Sequence, residues 1–150
     1  MNKGVPEGEF GSDVQGKKPI VFDVGADVVK LKVTLQRSRE LLGDDATLLY
    51  DWYLPSSMIE ICDSHRKEKG GPWECYDTRD FYGWEAERVV VVAVGGGILE
   101  QATRARTKLI LILAKPEDDS KNLYARLQEN IKAAADVGLV DVEKGGYDWA

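Results

Sequence analysis

"DFYGWEAERVVVVAVGGGILEQATRARTKLILIL", residues 80–113, packs two dense apolar runs around a glycine triplet and a short arginine cluster. The first run, 89–94, is almost all valine; the second, 109–113, is leucine and isoleucine. Neither alternates apolar with polar residues, as a strand with one wet face would. Continuous runs of this kind belong to parallel strands covered on both faces. Parallel neighbours need a crossover between them, so helices are expected on either side of the sheet.

Working outward, the rest of the chain supplies those elements. "PIVFDV" (19–24) is a short strand edged by Asp23 and Gly25. Val28, Leu31, Leu35 and Leu42 then recur at nearly helical spacing, and Gly43 closes that segment as a C-cap. "ATLLY" (46–50) reads as a second strand. "LPSSMIEICDSHRKEKGG" (54–71) opens on proline and serines and carries Met58, Ile59 and Cys62 on one side. It predicts a helix running to the Gly70-Gly71 turn. "WECYD" (73–77) is the third strand, "RVVVVAVG" (88–95) the fourth and "KLILILA" (108–114) the fifth. "ILEQATRAR" (98–106) is expected to be a short helix, which would point Arg104 and Arg106 about 200° apart. "PEDDSKNLYARLQENIKAAADVG" (116–138) predicts a long helix with Pro116 at its start, acids in its first turn and Gly138 at its end. The last dozen residues suit a strand and a tail. The fold class is therefore α/β, with a mainly parallel sheet of about five strands and helices on both faces.

With 150 residues the chain suits one domain and can hide roughly 70% of its unfolded surface. Residues 1–16, rich in glycine, proline and charge, read as an irregular lead-in, and 17–150 as the single domain. "GEFGS" (8–12) is compatible with a cloning remnant or a native loop. No apolar run approaches the roughly 20 residues of a membrane helix, and no signal-peptide core is present, so an intracellular, membrane-free location is expected. A net charge of −6 opposes autonomous nucleic-acid binding, which normally needs a basic face. Two cysteines, Cys62 and Cys75, and one histidine, His65, form no metal-binding pattern. A thiolate–imidazole pair is conceivable from them, but ordinary buried cysteine is far commoner.

The glycine triplet 95–97 follows a strand and precedes a helical stretch, where glycines can bring backbone N–H groups to a phosphate. Neither G-x-G-x-x-G nor a Gly-Lys-Ser/Thr loop occurs, so a strand-to-helix turn is the plainer reading. Glu85, just upstream of the valine strand, and the two arginines, 104 and 106, are by themselves compatible with solvated or ion-paired surface residues.

Taken as a pair, "FYGWEAERVVVV" (81–92) and "ATRARTKLILI" (102–112) resemble motifs five and six of the superfamily 1 helicases. The similarity is to their C-terminal RecA-like domain, of the UvrD/Rep type and of the RNA-decay helicases, and it covers roughly residues 17–115. It implies a three-layer RecA-like domain of the P-loop NTPase superfamily. It also implies that Gly83 and Glu85 approach a nucleotide's sugar and phosphates, together with Thr103 and Arg104. Arg104 would be the catalytic arginine finger, for which a guanidinium suits the charge that develops on phosphoryl oxygens. Thr78 and Arg79 would lie near the nucleic-acid strand.

The departures from that family point to a degenerate relative. No phosphate loop with its lysine and magnesium-binding acids is present, Tyr82 replaces a usual lysine or glutamine, and Asp51 stands where an arginine often stacks on adenine. Only "VAVGGGI" (92–98) separates the two motifs. The resemblance implies no ATPase activity and no cofactor for the isolated chain, with ATP and magnesium entering only beside an N-terminal RecA-like domain. That domain, or another protein, is the expected partner, and single-stranded nucleic acid would bind weakly. The alternative is an interaction module that kept the fold and lost the chemistry, anchored by exposed members of Trp52, Tyr53, Trp73 and Trp84, although core packing is expected for at least two of these. A small-molecule enzyme is the weakest reading, since no nucleophile–base pair is visible.

Overall fold

The computed structural model describes residues 19–77, 86–94 and 105–142. Its centre is a six-stranded parallel sheet of order β3-β2-β4-β5-β1-β6. In chain order the elements are β1 (Ile20–Gly25), α1 (Val28–Leu42), β2 (Thr47–Tyr50), α2 (Ser56–Asp63) and β3 (Glu74–Asp77), then β4 (Ala86–Ala93), β5 (Ala105–Ala114), α3 (Leu123–Asp136) and β6 (Asp141–Val142). This is the expected RecA-like α/β class, with the final strand added at one edge.

Both apolar runs lie in the middle of the sheet, and their residues divide strictly by parity. Val90, Val92, Ile110 and Ile112 join Phe22 and Leu48 in one core, closed by Leu31 and Leu35 of α1 and Met58 and Cys62 of α2. Val89, Val91, Leu109 and Leu111 join Val21 and Leu49 in the other, closed by Leu127, Ile131 and Ala134 of α3. Successive side chains of a strand point to opposite faces, so a run with no polar position must be roofed twice. The register is continuous through the centre: Val90 lies beside Ile110 and Leu48, and Ile110 beside Ile20.

The helices form where their apolar stripes meet these surfaces. In α1, Leu31, Thr34, Leu35, Ser38 and Leu42 are buried, and the Ser38 hydroxyl donates to the Thr34 carbonyl at 2.8 Å. Asp27 caps its start, accepting the N–H groups of Val29 (3.0 Å) and Lys30 (3.1 Å). Its end is Gly43, as expected, whose N–H donates to the Arg39 carbonyl.

Three element boundaries differ from the sequence expectation. The second helix stops at Asp63 and does not run to Gly70. Its Ile61 carbonyl is taken by the Ser64 hydroxyl (2.6 Å) and lies 3.0 Å from His65 Nδ1, and the chain turns so that Arg66 bridges Trp73. A 3-10 turn, Lys67–Lys69, follows. Gly71 is required there, because a Cβ would sit 2.2 Å from the His65 carbonyl. The last long helix starts at Leu123, not Pro116, since the Asp119 carboxylate accepts the N–H groups of Leu123 (2.7 Å) and Tyr124 (3.3 Å) and fixes the first turn there. Finally, Arg106 belongs to strand β5 and not to the short helix expected over 98–106, of which residues 98–104 lie outside the described residues.

Trp73 anchors the β3 side. It is fully buried, its indole N–H donates to the Gly43 carbonyl at 3.0 Å, and the His65 ring stacks over it at 5.5 Å between centroids. Arg66 ties the same edge together through Asp63 (2.8 Å), the Cys75 carbonyl (3.0 Å) and the Tyr50 hydroxyl (3.3 Å). Leu111, at the sheet's middle, contributes most plainly through packing. Leu111→Ala is expected to lower the unfolding free energy by about 2–5 kcal/mol in urea titrations. Lys32→Ala, on the exposed face of α1, should change it by less than about 0.5 kcal/mol.

Candidate functional site

Because every strand is parallel, the sheet has two chemically different edges. At the C-terminal edge, where α/β sheets commonly bind ligands, the described residues carry Asp23, Asp27, Asp51, Asp77, Glu117, Asp118 and Asp119 against Lys115 and Lys121. The turn from β1 into α1 is the place where a phosphate would seek backbone donors. Those donors are engaged by the chain's own carboxylates: Asp23 accepts the Gly25 N–H at 3.1 Å, and Asp27 accepts two at the helix start. Among the described residues, a phosphate at the β1–α1 turn would meet carboxylates already on the N–H groups of Gly25, Val29 and Lys30.

Asp23 is held from the other side as well. The Tyr124 hydroxyl donates to its Oδ1 at 2.5 Å and Gln128 Nε2 to its Oδ2 at 2.7 Å. Tyr124 and Gln128 lie one turn apart on α3, so both reach down to the same carboxylate. Gly25 keeps the approach open, with φ +57° and the Tyr124 hydroxyl 3.1 Å from where a Cβ would be. Burial and the carboxylate push the Tyr124 phenol above its ordinary range. Sequence reasoning noticed Asp23 as a strand edge but not this network. Its only local signal is the i, i+4 spacing of Tyr124 and Gln128.

The cysteines do not form a catalytic pair. The Cys75 thiol donates to the Cys62 carbonyl (3.7 Å) and the Trp73 carbonyl (3.9 Å), while His65 Nδ1 faces the Ile61 carbonyl. Burial raises both thiols, Cys75 to about 12 and Cys62 further, which keeps them from the nucleophilic thiolate form. Among the described residues no group of three or more His, Cys, Asp or Glu could hold a metal ion. No helix there is long and apolar enough to cross a membrane. A hollow of about 420 Å³ against α1 is lined by Lys32, Val33, Gln36, Arg37 and Glu40.

Of the aromatic candidates, Trp73 is core. Trp52 and Tyr53 are 42% and 57% exposed and stack on each other at 4.1 Å. The residues assigned from the helicase motifs, Thr78, Arg79, Gly83, Glu85, Thr103 and Arg104, lie outside the described residues, as do Tyr82, Trp84 and the glycine triplet. Their described neighbours are informative. Ala86, directly after Glu85, and Ala105, directly after Arg104, are register partners on adjacent strands β4 and β5. The described strand starts that follow Glu85 and Arg104 in the chain are therefore neighbours at the N-terminal edge. Asp51 is described at the end of β2, where its Oδ1 accepts the Tyr53 N–H at 2.9 Å.

No protein-family model matches the sequence, and no curated protein does. Among solved structures, the fold is similar to that of the C-terminal domain of a possible DNA helicase from Lactobacillus plantarum WCFS1. The two share 13% sequence identity with a TM-score of 0.54, over 87% of this chain and 88% of that one. The likeness is one of fold.

The Asp23–Tyr124 contact yields a test with a defined sign. A phenol whose folded pKa is raised stabilises the fold fully below the ordinary tyrosine value of about 10, and that stability is lost as pH rises further. Tyr124→Phe should cost about 1.5–3 kcal/mol at pH 7, because it removes a hydrogen bond to a charged group. Above pH ~10 the gap between mutant and wild type should narrow in denaturant titrations repeated across pH.

Proposed function

We propose that the chain is a helicase-type C-terminal RecA-like domain of the superfamily 1 kind, working with a separate domain that carries the phosphate loop. In this reading the nucleotide is bound by that other domain. This chain presents Arg104 towards it as the finger, with Gly83, Glu85 and Thr103 beside the arginine. Thr78 and Arg79 line the path of a single strand of nucleic acid. The observation that carries the reading is the register pair Ala86–Ala105, which follows Glu85 and Arg104 directly on adjacent strands. A motif-five-like segment and a motif-six-like segment would need such neighbouring entry points to act on one ligand. The fold likeness to a helicase C-terminal domain over most of both chains supports the same assignment.

The acidic C-terminal edge is consistent with this division of labour, because carboxylates already hold the N–H groups of its β1–α1 turn. ATP and magnesium therefore belong to the paired state, and catalysis is not expected of the isolated chain. A second reading, a binding module without nucleotide chemistry, is favoured by the exposed Trp52–Tyr53 stack and by Asp51 in place of an adenine-stacking arginine.

The purified chain should show no ATP turnover in a phosphate-release assay and only weak binding of ATP and of oligothymidylate by titration. Arg104→Ala should weaken the residual ATP binding further. Robust turnover by the isolated wild-type chain would sink both readings, whereas ATP binding indifferent to Arg104→Ala would favour the binding module.

A further inference from the structure

The two central strands each begin their apolar runs on a cation. Arg88 directly precedes Val89 in β4, and Lys108 directly precedes Leu109 in β5. The register sets the two side by side: Arg88 pairs with Lys108, and the next pairs inward are Val89–Leu109 and Val90–Ile110. Val90 and Ile110 belong to the core beneath α1 and α2, so strand alternation sends both cations towards that same face. Neighbouring strands lie about 4.8 Å apart, which puts two like charges next to each other in the middle of the sheet's N-terminal edge.

Like charges at directly opposed positions destabilise a sheet. Nothing among the described residues answers them here. Both side chains are half-buried, and neither makes an ion pair or a side-chain hydrogen bond there. The acids of this edge are engaged or turned away. Asp44 is held by Arg39 at 2.7 Å, and Glu74 accepts from the Tyr76 hydroxyl at 3.0 Å. Glu87 follows the parity of Val89, towards the α3 face. On the β2 side, Thr47 pairs with Val89, so Ala46 comes level with Arg88 and offers only a methyl group.

Two half-buried positive charges one strand apart suit a compact anion that carries more than one negative charge. A carboxylate would leave one cation unanswered. A phosphate group brings about 1.5–2 negative charges at neutral pH and several acceptor oxygens. A guanidinium meets such oxygens with its fork and an ammonium meets them as a point charge. We propose that Arg88 and Lys108 form a binding site for one phosphate group, supplied by inorganic phosphate or by the polyphosphate tail of a nucleotide. The site opens on the edge where Ala86 and Ala105 stand, but it rests on described residues and needs neither Arg104 nor a second domain.

The test is calorimetric titration of the purified chain with sodium pyrophosphate, without magnesium and at constant ionic strength, with sodium chloride as the blank. Saturable binding is expected. Arg88→Gln and Lys108→Gln should each weaken it about fivefold or more, whereas Lys108→Arg, which keeps the charge, should stay within about threefold. Lys121→Gln, which removes a cation from the opposite edge, should leave the affinity within about twofold. Thermal unfolding adds a readout that a packing role would not give. Without the anion, both glutamine variants should melt no lower than wild type, because each relieves a repulsion. With pyrophosphate, only wild type should gain. ATP separates the two sources: binding tighter than pyrophosphate identifies a nucleotide's phosphate, and weaker binding a free one. No binding above the blank, affinity unchanged in both glutamine variants, an equal loss in Lys121→Gln, or tighter binding of triglutamate would each overturn the proposal. Arg104→Ala should leave pyrophosphate binding within about twofold, so this site and the helicase reading can fail separately.

Discussion

The structure depends on the double roofing of β4 and β5. These two strands have no polar position through their buried length, so each must be covered on both faces at once. Burying apolar surface stabilises by about 25 cal/mol per Å², and among the described residues these two strands supply members of both cores. The parity of the residues allots the two roofs: one set calls for α1 and α2, the other for α3. Parallel pairing follows, because only crossovers through helices can deliver both roofs. The remaining strands extend this centre outwards, and the two edges end in short elements, β3 with its Arg66–Trp73 bridge and the two-residue β6.

From that arrangement comes the separation of chemistry between the edges. The C-terminal ends of the strands gather acids whose oxygens are largely spent on backbone N–H groups, on Tyr124 and on Gln128. They serve to fasten turns and to hold α3 against β1. At the N-terminal edge, the chain enters β4 and β5 at paired positions after Glu85 and Arg104.

Much of the fold was legible because burial speaks through composition. A run such as 89–94 has no other stable home than a two-faced sheet, and Leu31, Leu35 and Leu42 mark a helical stripe without help from partners. The misread boundaries share one cause, namely competition among signals that all favour a helix start or stop. Pro116 followed by acids resembles a first turn, but Asp119 sits closer to the stripe that packs and captures the N–H groups. The second helix looked long because Gly70-Gly71 is a strong terminator; the earlier stop comes from Trp73, whose demand for a partner strand is not visible locally. The candidate site was legible only as a paired resemblance, since Glu85 and Arg104 lie far apart in sequence. Asp23 illustrates what cannot be read at all: its partners are more than 100 positions downstream.

The sheet order also dictates when the molecule can become whole. β1 emerges first, yet its neighbours are β5 and β6, so Phe22 and Val24 wait until residue 114 or beyond before they find their place. During synthesis, at roughly 5–20 residues per second, that is a delay of several seconds with an apolar strand unpaired. Non-local pairing of this sort slows folding and exposes sticky intermediates. The nascent chain thus has a window of vulnerability that closes only when β5 has been made, and β1 is the strand that stays unpaired until then.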